Sequence, residues 1–385
     1  MLETDLVDRE DELEPYRAAW DALAVASARP YCAPGWMLPW WRHVAEPRGA
    51  RLRTVVVLDG AELVGIAPFC VERAWGGFSE YRLLGALTSH RIGPLARPGR
   101  EREVARAVAM VLAEASPRPR ALRFEGVDAS SPWPGLLAES WPGHPGPECC
   151  LAASDPAPTV TLRGLTYDEW FSSKSNSFRR EMRRMRRKLE AHGAVFRMTS
   201  STDELERDLR SFVRLHLSRW AGKGGSGAVD VLGRDDFLLE VGLELLPQGR
   251  FRVWSIDVEG QPISSHLFLA AGGELSYFLG GFDEAWAAFK PSMLAILAAL
   301  EDCFRRGELR FDLGAGGQPY KFRFADEDDP LAWSSLFPRD VRYPLTRSQE
   351  LAARLKFLAE VQARRLPPGV QSGLRRALRR QAATQ

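Results

Sequence analysis

Two stretches of this chain carry the same pattern of apolar and polar positions. RLRTVVVLDGAELVGIAPFCV (51–71) reads as a strand, an Asp59-Gly60 turn and a second strand. RFRVWSIDVEGQPISSHLFLA (250–270) has the same Arg-x-Arg opening, a Glu259-Gly260 turn and a second apolar strand. Hairpins of one design, roughly 200 residues apart, predict an internal duplication.

Around the first hairpin, helical spacing covers 7–26, and APGWMLPWWRHV (33–44) reads as a turn opening a Trp-rich helix. A strand near 80–86, a helix over 101–115 and a strand over 121–127 follow. Proline and glycine then accumulate over 130–150, which reads as loop, and a strand over 157–163 is expected to close this unit.

The second half opens with a basic helix, 175–192. Phe178, Met182, Met185 and Leu189 form its apolar stripe, with Arg179, Arg180, Arg183, Arg184, Arg186, Arg187 and Lys188 on the rest of the surface. Next are a helix over 202–220 capped by Thr202, a glycine loop GKGGSG (222–227) and a helix over 234–246. A strand over 274–283 leads to a long apolar helix, 291–306, with Pro291 at its first position and Gly307 as its stop. In FDLGAGGQPYKFRF (311–324) a short strand enters a glycine loop, and strict alternation over 320–324 predicts another strand. That strand would send Tyr320, Phe322 and Phe324 one way and Lys321 and Arg323 the other. The remainder is amphipathic helix broken by PPG (367–369), with a basic end.

The predicted fold class is therefore α/β (α+β): two tandem units over 1–155 and 156–345, each a mixed twisted sheet flanked by helices, then a basic helical tail, 346–385. A length of 385 residues agrees, because single cores stop growing near about 250–300 residues. The formal charge of +2 imposes no overall field that demands nucleic acid or an anionic membrane. The odd count of five cysteines without CxxC spacing reads as reduced thiols in a cytoplasm. Scattered histidines predict no metal site. The acidic N-terminus is no signal peptide, and no apolar run approaches about 18 residues. The high Arg, Ala and Pro content points to a GC-rich bacterial genome.

The order strand, strand, YFLGGFD, irregular segment, helix ending in glycine, FDLG…YK resembles the CelD/BcsL-type acetyltransferase domain of the GNAT superfamily. It is also similar to the Fem-type aminoacyltransferases, which contain two GNAT-like units. The resemblance covers roughly 20–340 and is most specific over 250–324. It implies two GNAT-like units, the second carrying the active site, and an acyl-CoA co-substrate, acetyl-CoA above all. The pantetheine arm would fill a splay between two strands, which the resemblance places at 262–270 and 274–281, with Gly280 and Gly281 leaving that end open. The N-terminus of the helix at 291, with Lys290, Ser292 and Met293, would meet the donor phosphates. FKPSML (289–294) has Ser292 where the family usually has glycine.

The resemblance likewise places basic residues of the 320–324 strand near the reacting carbonyl. Lys321 would polarise that carbonyl or hold an anionic substrate, and Arg323 suits a carboxylate or phosphate. Asp312 would orient Lys321 or accept the amine proton, and Tyr320 would serve as an acid or pack in the core. His216, Arg219 and Trp220 share one helix face before the glycine loop, as an acceptor-side set or as packing. His266 reads as structural.

These residues imply an acyltransferase moving an acyl group from CoA to an amine of a small molecule or sugar. A second expectation is an aminoacyl-tRNA-dependent Fem-like transferase, with tRNA on the basic helix. A third is a non-catalytic GNAT-like partner in polysaccharide or envelope biosynthesis, for which Ser292 is the support.

Overall fold

A computed structural model describes residues 2–73, 78–221 and 235–364. The chain starts with an edge strand, β1 (Glu3–Val7), then α1 (Arg17–Ala26) and α2 (Pro34–Trp40). The first hairpin is β2 (Arg51–Asp59) with β3 (Glu62–Arg73), and β4 (Ser79–Leu83) pairs antiparallel to β3. A short β5 (Leu95–Ala96) also lies on β3. Helix α3 (Glu101–Glu114) then crosses over to β6 (Ala121–Asp128), which runs parallel to β4.

Later strands repeat this plan. After α4 (Trp133–Ser140), β7 (Glu148–Asp155) and β8 (Pro158–Thr161) come α5 (Tyr167–Ser173), α6 (Asn176–Ala191), β9 (Val195–Met198) and α7 (Thr202–Ala221). Helix α8 (Asp235–Leu245) precedes the second hairpin, β10 (Phe251–Val258) and β11 (Gln261–Ala271). Its turn residues Glu259 and Gly260 both have positive φ, 51° and 75°, the signature of the tight turn that matches strand twist. Strand β12 (Glu274–Phe282) pairs antiparallel to β11, helix α9 (Pro291–Arg306) crosses over, and β13 (Arg310–Asp312) runs parallel to β12. The predicted duplication is thus a repeated hairpin, third strand, crossover helix and parallel fourth strand.

The sheets interlock through two chain crossings. Strand β7 lies in the first sheet and β8 in the second. A short β14 (Glu327–Asp328) returns on β8, and β15 (Leu331–Phe337) re-enters the first sheet between β6 and β7. The strand expected to close the first unit at 157–163 therefore belongs to the second sheet, and residues 331–337, expected in the second unit, complete the first. Main-chain pairing makes this choice, and local apolar pattern carries no record of which sheet edge a strand joins. Part of the Pro/Gly-rich 130–150 segment, read as loop, forms α4. The helix expected from residue 7 begins at Arg17, preceded by β1 and a 3₁₀ stretch.

The strand predicted over 320–324 is a 3₁₀ turn, Lys321–Arg323. Its amide hydrogen bonds close locally: Lys321 N–H to Gln318 O (3.0 Å) and Phe324 N–H to Lys321 O (3.0 Å). The physical reason is that β13 already has β12 on one side and β8 on the other, so the chain that follows it cannot pair back onto it. At about three residues per turn, Lys321 and Phe324 share the buried side. Lys321 and Arg323 therefore do not share a face.

One apolar cluster joins the units: Trp20, Trp36 and Phe69 belong to the same packed core as Phe237, Phe251, Leu267 and Leu269. Helix α9 covers the other face of the second sheet with Leu294, Ile296, Leu297 and Leu300 against Phe268, Leu275 and Phe311. Helix α10 (Tyr343–Arg364) follows β15. The glycine loop 222–227 and the basic end of the tail lie outside the described residues.

Candidate active site

The second sheet opens between β12 and β13. Their parallel register runs only from Glu274–Arg310 to Ser276–Asp312. Beyond it β12 continues to Phe282, while the chain after Asp312 turns away at Gly314, whose φ is 74°. A β-bulge on β12 sits at this point. Leu267 faces Leu279 and Phe268 faces Tyr277, leaving Phe278 as the extra residue. Its ring packs 5.1 Å from Trp36 of the first unit.

This geometry corrects the expected position of the splay. Strands β11 and β12 stay paired through Ser264–Phe282, Ser265–Gly281 and His266–Gly280. Gly280 and Gly281 leave no opening. A Cβ on Gly280 would lie 2.0 Å from His266 Nδ1, and one on Gly281 would lie 2.3 Å from the His216 amide nitrogen. They are glycines because a histidine and helix α7 press against the strand.

Around the divergent end of β12 and β13 the expected residues fall into three groups. In the first, Lys321 is buried and its ammonium donates to Gly314 O (3.0 Å) and Ala315 O (2.6 Å). Burial pulls its pKa down to about 8, against Asp312, which raises it. Asp312 neither pairs with Lys321 nor stands ready to accept a proton. It accepts from Arg91 Nε at 2.8 Å and from the Gly314 amide at 2.9 Å. Burial alone would raise the Asp312 carboxyl, but Arg91 and that amide outweigh it and hold it below the usual range. His90 adjoins the group, with Nδ1 enclosed against Gly126 and without a hydrogen-bond partner.

The second group is aromatic. His266 packs 5.7 Å from the Tyr277 ring and shares a hydrogen bond with Ser264 Oγ (3.1 Å). Burial, then Arg219 and His216, pushes the His266 imidazole down to about 3, so it is neutral. His216 Nδ1–H donates to Gly280 O at 3.0 Å, which fixes its tautomer. The Arg219 guanidinium lies 4.2 Å from the Phe282 ring centre. Burial raises the phenols of Tyr277 and Tyr320; Arg219 opposes this at both, and Tyr320 adds to it at Tyr277. Trp220 belongs to α7, but its side chain lies outside the described residues.

The third group brings Lys290 and Arg323 together on Glu181 of α6: Lys290 Nζ binds one carboxylate oxygen and Arg323 the other, at 2.7 Å. Lys290 caps α9 in a left-handed conformation, φ 56°. Ser292 Oγ sits buried without a partner, and the Met293 amide donates back to Lys290 O at 3.1 Å. The first turn of α9 has no acid. The matching helix of the first unit, α3, has Glu101 and Glu103 in its first turn, and Glu101 accepts from the Gly99 amide at 3.2 Å. Acids thus stand in the first turn of α3, whereas the first turn of α9 has none and is flanked by Lys290, which Glu181 pairs.

Sequence reading missed Arg91, His90, Glu181 and Tyr277 as members of these groups. Only YFLGGFD, which contains Tyr277, carried a local signal. Arg91 lies 221 residues from the carboxylate it binds.

Residues 176–322, which span all three groups apart from the loop of the first unit and Arg323, match the family model for the acetyltransferase (GNAT) domain. Over these residues the chain resembles the GNAT superfamily. Its overall fold is that of FemX, whose crystal structure superposes with a TM-score of 0.61 at 10% identity, covering 90% of this chain and 99% of that one. A conserved protein of unknown function from Bacteroides thetaiotaomicron VPI-5482 superposes with a TM-score of 0.54 at 10% identity, covering 88% of this chain and all of that one. No curated protein sequence matches the chain. Among the described residues no helix is long and apolar enough to cross a membrane.

Proposed function

We propose that this GNAT-like domain transfers an acyl group from acyl-CoA to an amine of a small molecule or sugar, in the opening between β12 and β13. The observation that carries this reading is the asymmetry of the two crossover helices. Only α9 presents an acid-free first turn beside a lysine, at the end of a bulged strand that has left its parallel neighbour. A pantetheine arm fits alongside the unpaired edge of β12, and the donor phosphates fit at Lys290, Ser292 and Met293.

Lys321 supplies the charge at the reacting carbonyl. Its ammonium has three protons, two of which point at Gly314 O and Ala315 O, so one remains for a developing oxyanion. The raised phenol of Tyr320 keeps its proton near neutral pH and suits protonation of the departing thiolate. Arg219 and His216 line the acceptor side, with Arg323 held nearby on Glu181.

The test is a thermal-shift titration with acetyl-CoA, longer acyl-CoAs and free CoA. Ligand at about 100 times its Kd stabilises by about 2.7 kcal/mol. A saturable shift supports the donor site and directs a screen of amines. The absence of a shift with every CoA overturns this reading.

One observation favours a second reading, aminoacyl-tRNA as donor. Arg180, Arg184, Arg187 and Lys188 of α6 are exposed and make no ion pair with the described residues. A mobility shift with aminoacyl-tRNA, and none with CoA, would support it.

A further inference from the structure

Lys321 and Asp312 are close enough to influence one another, yet they form no ion pair. The reason lies in the first unit. Both Asp312 oxygens are taken, Oδ2 by Arg91 Nε at 2.8 Å and Oδ1 by the Gly314 amide at 2.9 Å. Arg91 is itself held on every side. One terminal nitrogen binds Asp128, which also binds Arg29 at 2.5 Å, and the other donates to Asp329 O at 3.1 Å. Its main-chain amide donates to Gly126 O at 2.6 Å.

The loop that delivers Arg91 is held in an uncommon conformation. Leu87 and Arg91 both have positive φ, 65° and 56°, although neither is glycine. Two indoles fix the segment between them: Trp36 Nε1–H donates to Ser89 Oγ at 2.7 Å and Trp40 Nε1–H to Thr88 Oγ1 at 2.9 Å. This loop is shaped to place one guanidinium against one carboxylate of the other unit.

We infer that Arg91 is a positioning residue for Lys321: by occupying Asp312 it leaves the Lys321 ammonium committed to the carbonyls of Gly314 and Ala315. The first unit thereby completes the active site of the second. Removing the guanidinium would leave a buried carboxylate without its hydrogen-bonded cation; Arg310, which also acts on Asp312, is held by Glu274 and Asp329, whereas Lys321 feels the Asp312 charge and is bound only to carbonyls. Its ammonium would swing to Asp312 and leave the reacting carbonyl. The charged and titratable groups that bear on Lys321 are Asp312 on β13 and, from the first unit's loop, His90. Glu274 and Arg310 bear on it only through Asp312. An ammonium held at about 8 by burial is mostly charged at pH 7 and half-charged only about one pH unit higher, so exchange of its partner changes its charge state just above neutrality.

The inference rests on the reading of Lys321 as the charge at the reacting carbonyl, but its test needs no turnover. The full chain is trace-labelled with isotopic acetic anhydride across a pH series, and Lys321 modification is followed by peptide mass spectrometry. Arg91→Met is expected to raise the apparent pKa of Lys321 by about one unit or more, as a new opposite charge at contact distance does. Arg91→Lys, which keeps a cation on Asp312, is expected to restore most of the wild-type value. In an Asp312→Asn background, where no buried carboxylate is left unpaired, Arg91→Met is expected to leave Lys321 unchanged. An unchanged Lys321 in folded Arg91→Met overturns the inference. So does a rise of similar size in the Asp312→Asn background, which stays measurable if Arg91→Met alone does not fold. Failure of CoA to bind, with these labelling shifts present, would overturn the donor reading and leave the Arg91 coupling standing.

Discussion

Arg91 Nε donates to Asp312 at 2.8 Å, and this contact joins the two units at the point where the second sheet opens. Arg91 is 3% exposed and Asp312 2%, so the pair is sealed from solvent. Removing one partner of such a pair costs about 3–5 kcal/mol, because the other charge stays buried. Asp312→Ala is expected to lower the urea midpoint by more than any exposed acid-to-alanine change in α6.

Lys321→Ala is expected to reduce kcat/KM for acyl transfer by about a hundredfold or more, the usual effect of losing one preorganised oxyanion donor. Steady-state kinetics with an amine found by the CoA screen would measure it. Turnover within a fewfold of the wild type would remove Lys321 from the reaction.

Gly281→Ala tests why YFLGGFD carries its glycines. The new Cβ would lie 2.3 Å from the His216 nitrogen and 2.4 Å from the Leu215 carbonyl carbon, both main-chain atoms that cannot rotate away. A loss of about 1–3 kcal/mol in urea unfolding is expected, as for other overpacked sites. An unchanged midpoint would mean that α7 yields freely from the strand.

His266 gives a pH dependence with a definite sign. Its folded pKa, about 3, is far below the ordinary histidine value near about 6.5. Between those values the unfolded chain binds the proton and the folded chain does not, so stability falls as pH falls. The expected slope is about 1.4 kcal/mol per pH unit for this one site. Urea unfolding at pH 6 and pH 5 would show it, and His266→Gln is expected to flatten the profile by that amount.

The exposed arginines of α6 separate the donor readings. Arg184→Glu with Arg187→Glu is expected to shift the unfolding free energy by no more than about 0.5 kcal/mol per site, as surface changes do. Acetyl-CoA affinity should move little if the donor lies at α9. Loss of aminoacyl-tRNA binding in the same double variant would favour the second reading.

Much of the second unit was legible in the sequence. The Glu259-Gly260 turn, the stripe of Phe178, Met182, Met185 and Leu189, and the Pro291 and Gly307 limits of α9 each rest on interactions within a few residues. Local spacing reports such interactions faithfully. Lys321 was singled out as a cation after a glycine loop, but its neighbours could not be read from that pattern. Alternation over 320–324 described a strand that could not pair back onto β13, already paired on both sides, and the 3₁₀ turn that forms instead sends Arg323 to Glu181 and away from Lys321.

By itself the sequence determined the duplicated plan and the elements that compose it, because periodicity and turn chemistry are properties of short segments. Tertiary structure alone decided which strand edge is open, which sheet receives 158–161 and 331–337, and which cation meets Asp312. Those outcomes depend on competition between distant partners for one hydrogen-bonding edge or one buried carboxylate. The winner is set by the packing of the whole chain, which no short segment encodes.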